Sequence, residues 1–366
     1  MALEVSFLFG GISTEYDGSV SSLENIISSY LVLSDTARPF SISNLYHVSR
    51  DDGLVRAIPF DCTFAVADFQ AYMSDISSLS GGTLLSGFDT VISRDEYVVN
   101  LLHGQFGEDG GAQTLAALLG LRGTFGDPHV ASLTMNKYAM SSFVSSLFPD
   151  ERVRIPKTVL LTSRNECDWQ KLVRSIPGPI VVKPNSLGSS LFAERFLEPA
   201  RLEGEITALL RTIFTYDNAV LVQEFVPGDE YTCGCLVSSS DVIPLPIVKI
   251  DAEKQFCGRD QKYFGNIAKK TMVGADDEIS VRLKSAAGII TSSMPFYNMV
   301  RFDFRVSGES DVWFLECNYI PGLGKDGSFE LMLRDYGMTV VDLIPWIAAN
   351  SSRFVKSNHF INYECL

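Results

Sequence analysis

Two apolar runs, "MVRFDFRVS" (299–307) and "DVWFLECNY" (311–319), are separated by only a few polar residues. A connection this short joins antiparallel neighbours, because parallel strands need a crossover of a dozen or more residues. The pair therefore reads as a hairpin, and side chains along it alternate between faces. Arg301, Asp303 and Arg305 share one face of the first strand; Glu316 and Asn318 share one face of the second, with Trp313, Leu315 and Cys317 on the other. A four-residue turn over 307–310 would pair Val306 with Asp311 and bring the two polar faces together. Asp303, Glu316 and Asn318 would then gather beside Arg301. Oxygen donors of this kind suit a hard divalent ion such as Mg²⁺, shared with phosphate oxygens. The same pattern also describes the solvated face of a sheet, with Asn318 as a turn residue.

Upstream, strand and helix signals alternate. "EVSFLFGG" reads as a strand ending in glycines, "SVSSLENIISSYLVLS" has helical spacing, "FSISNLYHVS" and "YVVNLLHG" are further strands, and "GAQTLAALLGL" is a helix closed by Gly120. This order predicts an α/β region with a parallel sheet covered on both faces. Residues 48–92 are turn-rich and read as an insertion. Ligands of such sheets bind at the carboxyl ends of the strands, where "FGGISTE" places Glu15 and "LLHGQFGEDGG" places His103. Glu15 equally suits a helix N-terminus, and Asp109 equally suits a helix cap.

A second unit opens near "RGTFGDPHVASLTMNKYAMSSFV" and contains the strands "TVLLT", "IVVKP" and "NAVLVQEFV". In "IVVKPNSLGSS" a strand delivers Lys183 into a Gly/Ser loop, a combination able to hold polyphosphate although it is not a Walker motif. A third unit runs from about Pro227 and includes the polar, glycine-containing stretch 251–278, which has the character of a lid loop.

Bulk properties narrow the function classes. A net charge of −14 with no Lys/Arg-rich run argues against nucleic acid or an anionic membrane as partner. Seven scattered cysteines and four histidines, without a Cys-x-x-Cys pair, do not fit a structural zinc site and point to reduced thiols in a cytoplasmic protein. No apolar run is long enough for a bilayer span.

The ordered set "FGGISTE", "LLHGQFGEDGGAQ", "SLTMNK", "VVKPNSLGSS", "VLVQEFVPGDE", Lys262-Tyr263, "VRFDF" and "LECNYIPGL" resembles the D-alanine–D-alanine ligase family of the ATP-grasp superfamily, from Phe9 to about Ala349. The resemblance implies an N-terminal α/β domain (1–125), a central domain (126–226) and a C-terminal domain (227–366). It implies ATP held between the antiparallel sheets of the last two, where the class is better described as α+β. Carried over by position, Lys137 and Lys183 would contact the α and β phosphates, Ser190 would cradle phosphate, and Gln223, Glu224, Phe225 and Val226 would line the adenine pocket. Glu230 would bind ribose, Lys262 would reach the γ-phosphate, and Asp303, Glu316 and Asn318 would hold two Mg²⁺ ions. Glu15 would hold the ammonium of the first substrate, linked through Ser189 to Tyr263, with His103 nearby. Arg301 and the Gly322 amide would stabilise the oxyanion. The substrates implied are small amino acids, and the family suggests a homodimer.

Three departures bear on amino-acid recognition. "YDGSVS" reads as about two residues longer than the family turn after Glu15, and "KKTMVGA" lacks the usual Pro-Ala close of the lid. "PGLGKDGSF" reads as one residue longer than the loop receiving the carboxylate of the second substrate. Ser328 is the best match to the serine of that loop, within one residue, and Lys325 has no expected counterpart. Besides a D-alanine–D-alanine ligase, the sequence therefore admits an amino-acid ligase of a specialised pathway, a non-catalytic nucleotide-binding regulator, and an ATP-grasp enzyme that passes its acylphosphate onward.

Overall fold

The computed structural model describes residues 3–61, 71, 80–163, 169–251, 268–308, 311–351 and 354. Three sheets organise them. The first has the order β3-β2-β1-β4-β5, with β1 (Leu3–Gly10), β2 (Phe40–Val48), β4 (Tyr97–Asn100) and β5 (Arg122–Gly123) parallel. Alternation along β1 sends Val5, Phe7 and Phe9 into the main core and Leu8 into a second cluster on the opposite face. Helix α1 (Tyr16–Leu31) covers the first face through Leu23, Ile26, Ile27 and Tyr30, an i, i+3, i+4, i+7 stripe. Helices α2 (Leu84–Arg94) and α3 (Gly111–Leu119) cover the second through Phe88, Val91, Ala112 and Ala116. Gly120 ends α3 in a left-handed conformation, φ 69°.

The stretch 48–92, read above as an insertion, contributes to this sheet. It carries β3 (Val55–Pro59), which pairs antiparallel with β2 and makes a mixed edge, and most of α2. A five-residue strand with Pro59 at its end suits an edge position, and it is too short to stand out in the sequence from its turns.

Helices α4 (Pro128–Met135) and α5 (Lys137–Leu147) follow, capped by Asp127, which accepts from the His129 amide, and Asn136, which accepts from the Ala139 amide. Their buried residues Val130, Ala131, Met140 and Val144 join the core shared with the last sheet. The second sheet, β6-β9-β7-β8, is antiparallel: β6 (Thr158–Thr162), β7 (Ile180–Pro184), β8 (Glu194–Phe196) and β9 (Ala219–Glu224). Helices α6 (Trp169–Ser175) and α7 (Glu203–Ile213) cover it with Leu172, Ile206, Leu210 and Ile213.

The third sheet is also antiparallel, ordered β13-β12-β10-β14-β15, with β11 (Val242–Pro244) paired to β10 (Asp229–Val237). Its other strands are β12 (Val248–Asp251), β13 (Lys269–Met272), β14 (Asn298–Ser307) and β15 (Asp311–Asn318). Helices α8 (Glu278–Ser292), α9 (Ser328–Tyr336) and α10 (Val340–Asn350) complete the chain described, the last opened by a Thr339/Asp342 capping box. Among the described residues no helix is long and apolar enough to cross a membrane.

The hairpin β14–β15 forms, with a different register from the one expected. Ser307, not Val306, faces Asp311, so the turn is one residue shorter, and Trp313 lies opposite Arg305. Continued unbroken, that register would put Asp303 opposite Leu315 and turn Glu316 to the other face. A bulge between Phe304↔Phe314 and Asp303↔Glu316 absorbs Leu315 and restores the polar face: Asp303 lies opposite Glu316 and Arg301 opposite Asn318.

Candidate functional site

A cleft of about 780 Å³ opens between the second and third sheets. Strand β7 contributes Lys183 and β9 contributes Gln223 and Glu224; the loop after β7 supplies Ser190, the linker supplies Phe225 and Val226, and α5 supplies Lys137. From the third sheet come Glu230, Asp303, Arg305, Leu315 and Glu316. A smaller cleft of about 360 Å³, lined by Glu15, Glu108, Gly188 and Asn318, lies against the first sheet. Lys137 and Glu316 line both, so the two clefts meet at these side chains.

The electrostatics at the junction are tightly arranged. Lys137 Nζ lies 3.9 Å from Glu316 Oε2 and donates to the Leu187 carbonyl at 2.7 Å. Burial pulls the Lys183 ammonium down to about 8; Glu316 opposes this shift and Lys137 adds to it. An anion entering the cleft would restore full charge to Lys183. Arg301 grips both oxygens of Asp303, through Nε and Nη2 at 3.0 Å each, and Asn318 Nδ2 donates to Asp303 Oδ2 at 3.1 Å. Burial works against the Arg301 charge, but the Asp303 pairing outweighs it and raises its pKa. A bidentate fork fixes the plane of the carboxylate as well as its position.

The donor set Asp303, Glu316 and Asn318 contains two carboxylates and one amide. Among the described residues no three His, Cys, Asp or Glu side chains converge to hold a metal on their own. Hard oxygen donors in this small number fit Mg²⁺, which keeps most of its coordination sphere for water and phosphate oxygens.

In the smaller cleft, Ser189 Oγ donates to Glu15 Oε2 at 2.9 Å, joining the loop after β7 to the start of α1. Ser189, Ser190 and Phe192 all have left-handed φ angles (55°, 53° and 56°), a concentration of backbone strain of the kind found at ligand-binding loops. Glu15 packs so closely on Gly188 that a Cβ there would lie 1.8 Å from Glu15 Oε1. Helix α1 begins at Tyr16, directly after Glu15.

The loop after β15 is held from the first sheet's side, a feature not read from the sequence. The Ile320 amide donates to Glu108 Oε1 (2.8 Å), the Leu323 amide to Ser22 Oγ (3.0 Å), and Asn25 Nδ2 to the Leu323 carbonyl (2.8 Å). Gly322 lies within this clamp; a Cβ on it would be 4.0 Å from His103 Nε2. Ser22 Oγ donates to the Gly18 carbonyl at 2.9 Å and lies 3.3 Å from His103 Nε2.

His103 Nδ1 and Glu108 Oε2 lie 4.0 Å apart, too far for a hydrogen bond. Burial lowers the His103 pKa to about 4 and, with help from Glu15, raises that of Glu108 to about 8. Both shifts favour neutral forms, so the two are neighbours and not an ion pair. Glu108 is raised above its ordinary value, so the folded state binds the extra proton and stability falls as pH climbs from about 4.5 to about 8. Urea denaturation across this range should show Glu108→Gln losing part of that slope. The difference from the parent should approach about 1.4 kcal/mol per pH unit if one whole proton is involved.

Not every candidate reaches the clefts. Lys325 is exposed on the loop and Ser328 is the first residue of α9; neither lines the two clefts. Lys262 and Tyr263 lie outside the described residues. Arg305 carried no assignment from the sequence, although it shares the face of Arg301 and Asp303.

Two antiparallel sheets close on the large cleft, the second bringing Lys183 and the third Asp303 and Glu316, and the fold is that of the ATP-grasp structures it matches below. The family profile described as "D-ala D-ala ligase C-terminus" matches residues 157–348, just over half of the chain. The chain belongs to the D-alanine–D-alanine ligase family. The D-alanine–D-alanine ligase of Porphyromonas gingivalis is 26% identical over 346 residues, 93% of this chain and 95% of that protein. The structure of the D-alanine–D-alanine ligase from Coxiella burnetii matches with a TM-score of 0.74 at 20% identity over 95% of each chain. VanG D-Ala:D-Ser ligase from Enterococcus faecalis matches equally, with a TM-score of 0.74 and 20% identity over 95% of this chain and 99% of that one.

Proposed function

We propose that this protein is an ATP-dependent, ADP-forming amino-acid ligase that makes a peptide bond through an acylphosphate, with D-alanine as both substrates. The observation that carries this reading is the meeting of the two clefts at Lys137 and Glu316, which would set a nucleotide's terminal phosphate against a carboxylate held in the smaller one.

A carboxylate is a poor electrophile, and phosphorylation supplies the leaving group. One carboxylate oxygen of the first amino acid attacks the γ-phosphorus, the bond to the β–γ bridging oxygen breaks, and ADP leaves. Lys137 and Lys183 would neutralise the α and β phosphates, Ser190 would cradle phosphate oxygens, and Lys262 is assigned to the γ-phosphate. Gln223, Glu224, Phe225 and Val226 would enclose the base, and Glu230 would take the ribose hydroxyls. Asp303, Glu316 and Asn318 would hold two Mg²⁺ ions, whose contribution is to neutralise the charge that gathers on the transferred group.

Glu15, tied to Ser189, would hold the ammonium of the first substrate, and neutral His103 would border it; Tyr263 is assigned to the same chain of contacts. The free amine of the second amino acid then attacks the acyl carbon; the tetrahedral intermediate collapses by breaking the carbon–oxygen bond to phosphate, and the proton lost from nitrogen leaves with that phosphate. Arg301 and the Gly322 amide would stabilise the tetrahedral oxyanion, each such donor being worth about 3 kcal/mol. Ser328, with Lys325 near it, would receive the carboxylate of the second substrate. A cytoplasmic homodimer acting on small molecules, with neither nucleic acid nor membrane as partner, completes the reading.

A second reading, a ligase of a specialised pathway with other amino acids, is favoured by the lengthened 322–328 loop and by Lys325. Phosphate release on a panel of D- and L-amino acids, with mass analysis of the product, decides between them. Turnover on D-alanine alone, giving D-alanyl-D-alanine, supports the first reading. Turnover only on other pairs supports the second, and nucleotide binding without turnover on any amino acid contradicts both in favour of a regulator.

A further inference from the structure

Strands β10 and β14 pair so that Glu230 lies directly opposite Arg305. Arg305 Nη2 lies 2.8 Å from Glu230 Oε2, and Nη1 donates to the Val226 carbonyl at 3.1 Å. The guanidinium also lies 5.5 Å from the centre of the Phe225 ring, whose surroundings include Arg195 at 4.8 Å. Arg305 is 5% exposed. One buried side chain thus touches a carboxylate on the third sheet and two residues of the 225–228 linker that joins β9 to β10. All of these residues line the large cleft except Arg195.

This geometry has a consequence for the nucleotide. A glutamate on a strand has three side-chain torsions to order before it can read a pair of hydroxyls, and each ordered torsion costs entropy. A guanidinium bonded to one of its oxygens, itself fixed by a backbone carbonyl and a ring, orders the carboxylate before any ligand arrives. The same bonds set the linker against the third sheet, and hence the base-facing wall against the sugar-facing one. Lysine could supply the charge, but not two donors in a planar fork reaching a carboxylate and a carbonyl together.

We propose that Arg305 is a positioning residue for the sugar of the bound nucleotide. It acts through Glu230 and the Val226 carbonyl, so that discrimination for a ribose bearing free hydroxyls depends on it. The proposal rests on the reading of the large cleft as an ATP site. It predicts that Arg305→Met raises KM for ATP by about tenfold or more, with KM for the amino acids nearly unchanged. It further predicts that the parent enzyme's preference for ATP over 2′,3′-dideoxy-ATP shrinks in the variant toward equality, and that Arg305→Lys falls between the two.

The experiment measures kcat/KM for both nucleotides in the parent protein, Arg305→Met, Arg305→Lys, Glu230→Gln and the Arg305→Met/Glu230→Gln double variant. If Arg305 acts through Glu230, the two substitutions are not additive, and the double variant discriminates the sugar no worse than Glu230→Gln alone. A thermal melt identifies any variant that has lost its fold; Arg305→Lys and Glu230→Gln keep the test decisive if Arg305→Met does not survive. Folded variants that lose activity but keep the parent's ATP-to-dideoxy-ATP ratio overturn the proposal and leave Arg305 a structural residue. Failure of the parent to turn over or bind ATP would instead contradict the assignment of the cleft itself.

Discussion

Lys183→Met is expected to fold as well as the parent and to lose most of its phosphoryl transfer. Lys183 faces the cleft from β7, and burial already pulls its ammonium down to about 8. A lysine lowered below its ordinary value binds fewer protons folded than unfolded between about 8 and 10.5. Stability therefore rises with pH across that window, and at neutral pH the charged group is a net cost to the fold. Methionine fills a similar volume without that cost, so the melting temperature at pH 7 should stay level or rise. Catalysis loses a preorganised cation where polyphosphate charge collects, an effect of about 3–4 kcal/mol. That corresponds to a fall in kcat/KM for ATP of roughly two to three orders of magnitude. Steady-state kinetics beside a thermal melt checks both halves. A variant that is unstable but retains kcat/KM would place Lys183 in the scaffold and not in the chemistry.

Gly188→Ala separates binding from folding in the same way. Its Cβ would lie 1.8 Å from Glu15 Oε1 and 2.4 Å from Glu15 Cδ. Those atoms end a flexible side chain, so Glu15 can swing away at little expense to the fold, and stability should change by no more than about 1 kcal/mol. The movement breaks the 2.9 Å contact with Ser189 and takes the carboxylate from its place in the smaller cleft. Misplacing a substrate-orienting group by about an ångström costs on the order of 100-fold. The expected loss is of that size in kcat/KM for the first amino acid, with KM for ATP little changed. An unaltered amino-acid dependence would show that Glu15 does not hold that substrate.

How much of this was legible in the residues differs from element to element. Alternation in "RFDFR" and "LECN" was enough to bring Asp303, Glu316 and Asn318 onto one face, and the structure brings them together beside Arg301. The route differs: the shorter turn would have separated Asp303 from Glu316, and the bulge at Leu315 repairs this. A bulge is a property of the paired ladder and leaves no signature in one strand read alone. The mixed edge of the first sheet was missed for a related reason, since β3 is short and its partner lies across a turn. The clamp on the loop after β15 was invisible because Ser22 and Asn25 contact Leu323, 301 and 298 positions away. Their spacing on α1 reads only as the polar side of an amphipathic helix. Arg305 lay in plain view on the right face, but its role depends on Glu230 opposite it, a pairing that only the β10–β14 register supplies.

The departures from the family pattern look different in the folded chain. Lys325 and Asp326 are the exposed residues of an otherwise clamped loop, and Asp326 has a left-handed φ of 56° with its carbonyl accepting from Lys270 Nζ at 2.7 Å. The segment most expected to set substrate choice is thus anchored to β13, the strand that follows the stretch 252–267. On the proposed reading, the described nucleotide-side residues line one cleft while Lys325 and Ser328 lie outside it, so the second amino acid is where substrate choice would differ between relatives.

In the proposed mechanism, a carboxylate oxygen of the first amino acid becomes an oxygen of the released phosphate. The most direct measurement incubates the protein with ATP, Mg²⁺ and D-alanine labelled with ¹⁸O in its carboxylate, then weighs the phosphate formed. Activation through an acylphosphate predicts one labelled oxygen in each phosphate released, in step with dipeptide formation. Phosphate that carries no label while dipeptide accumulates would contradict it.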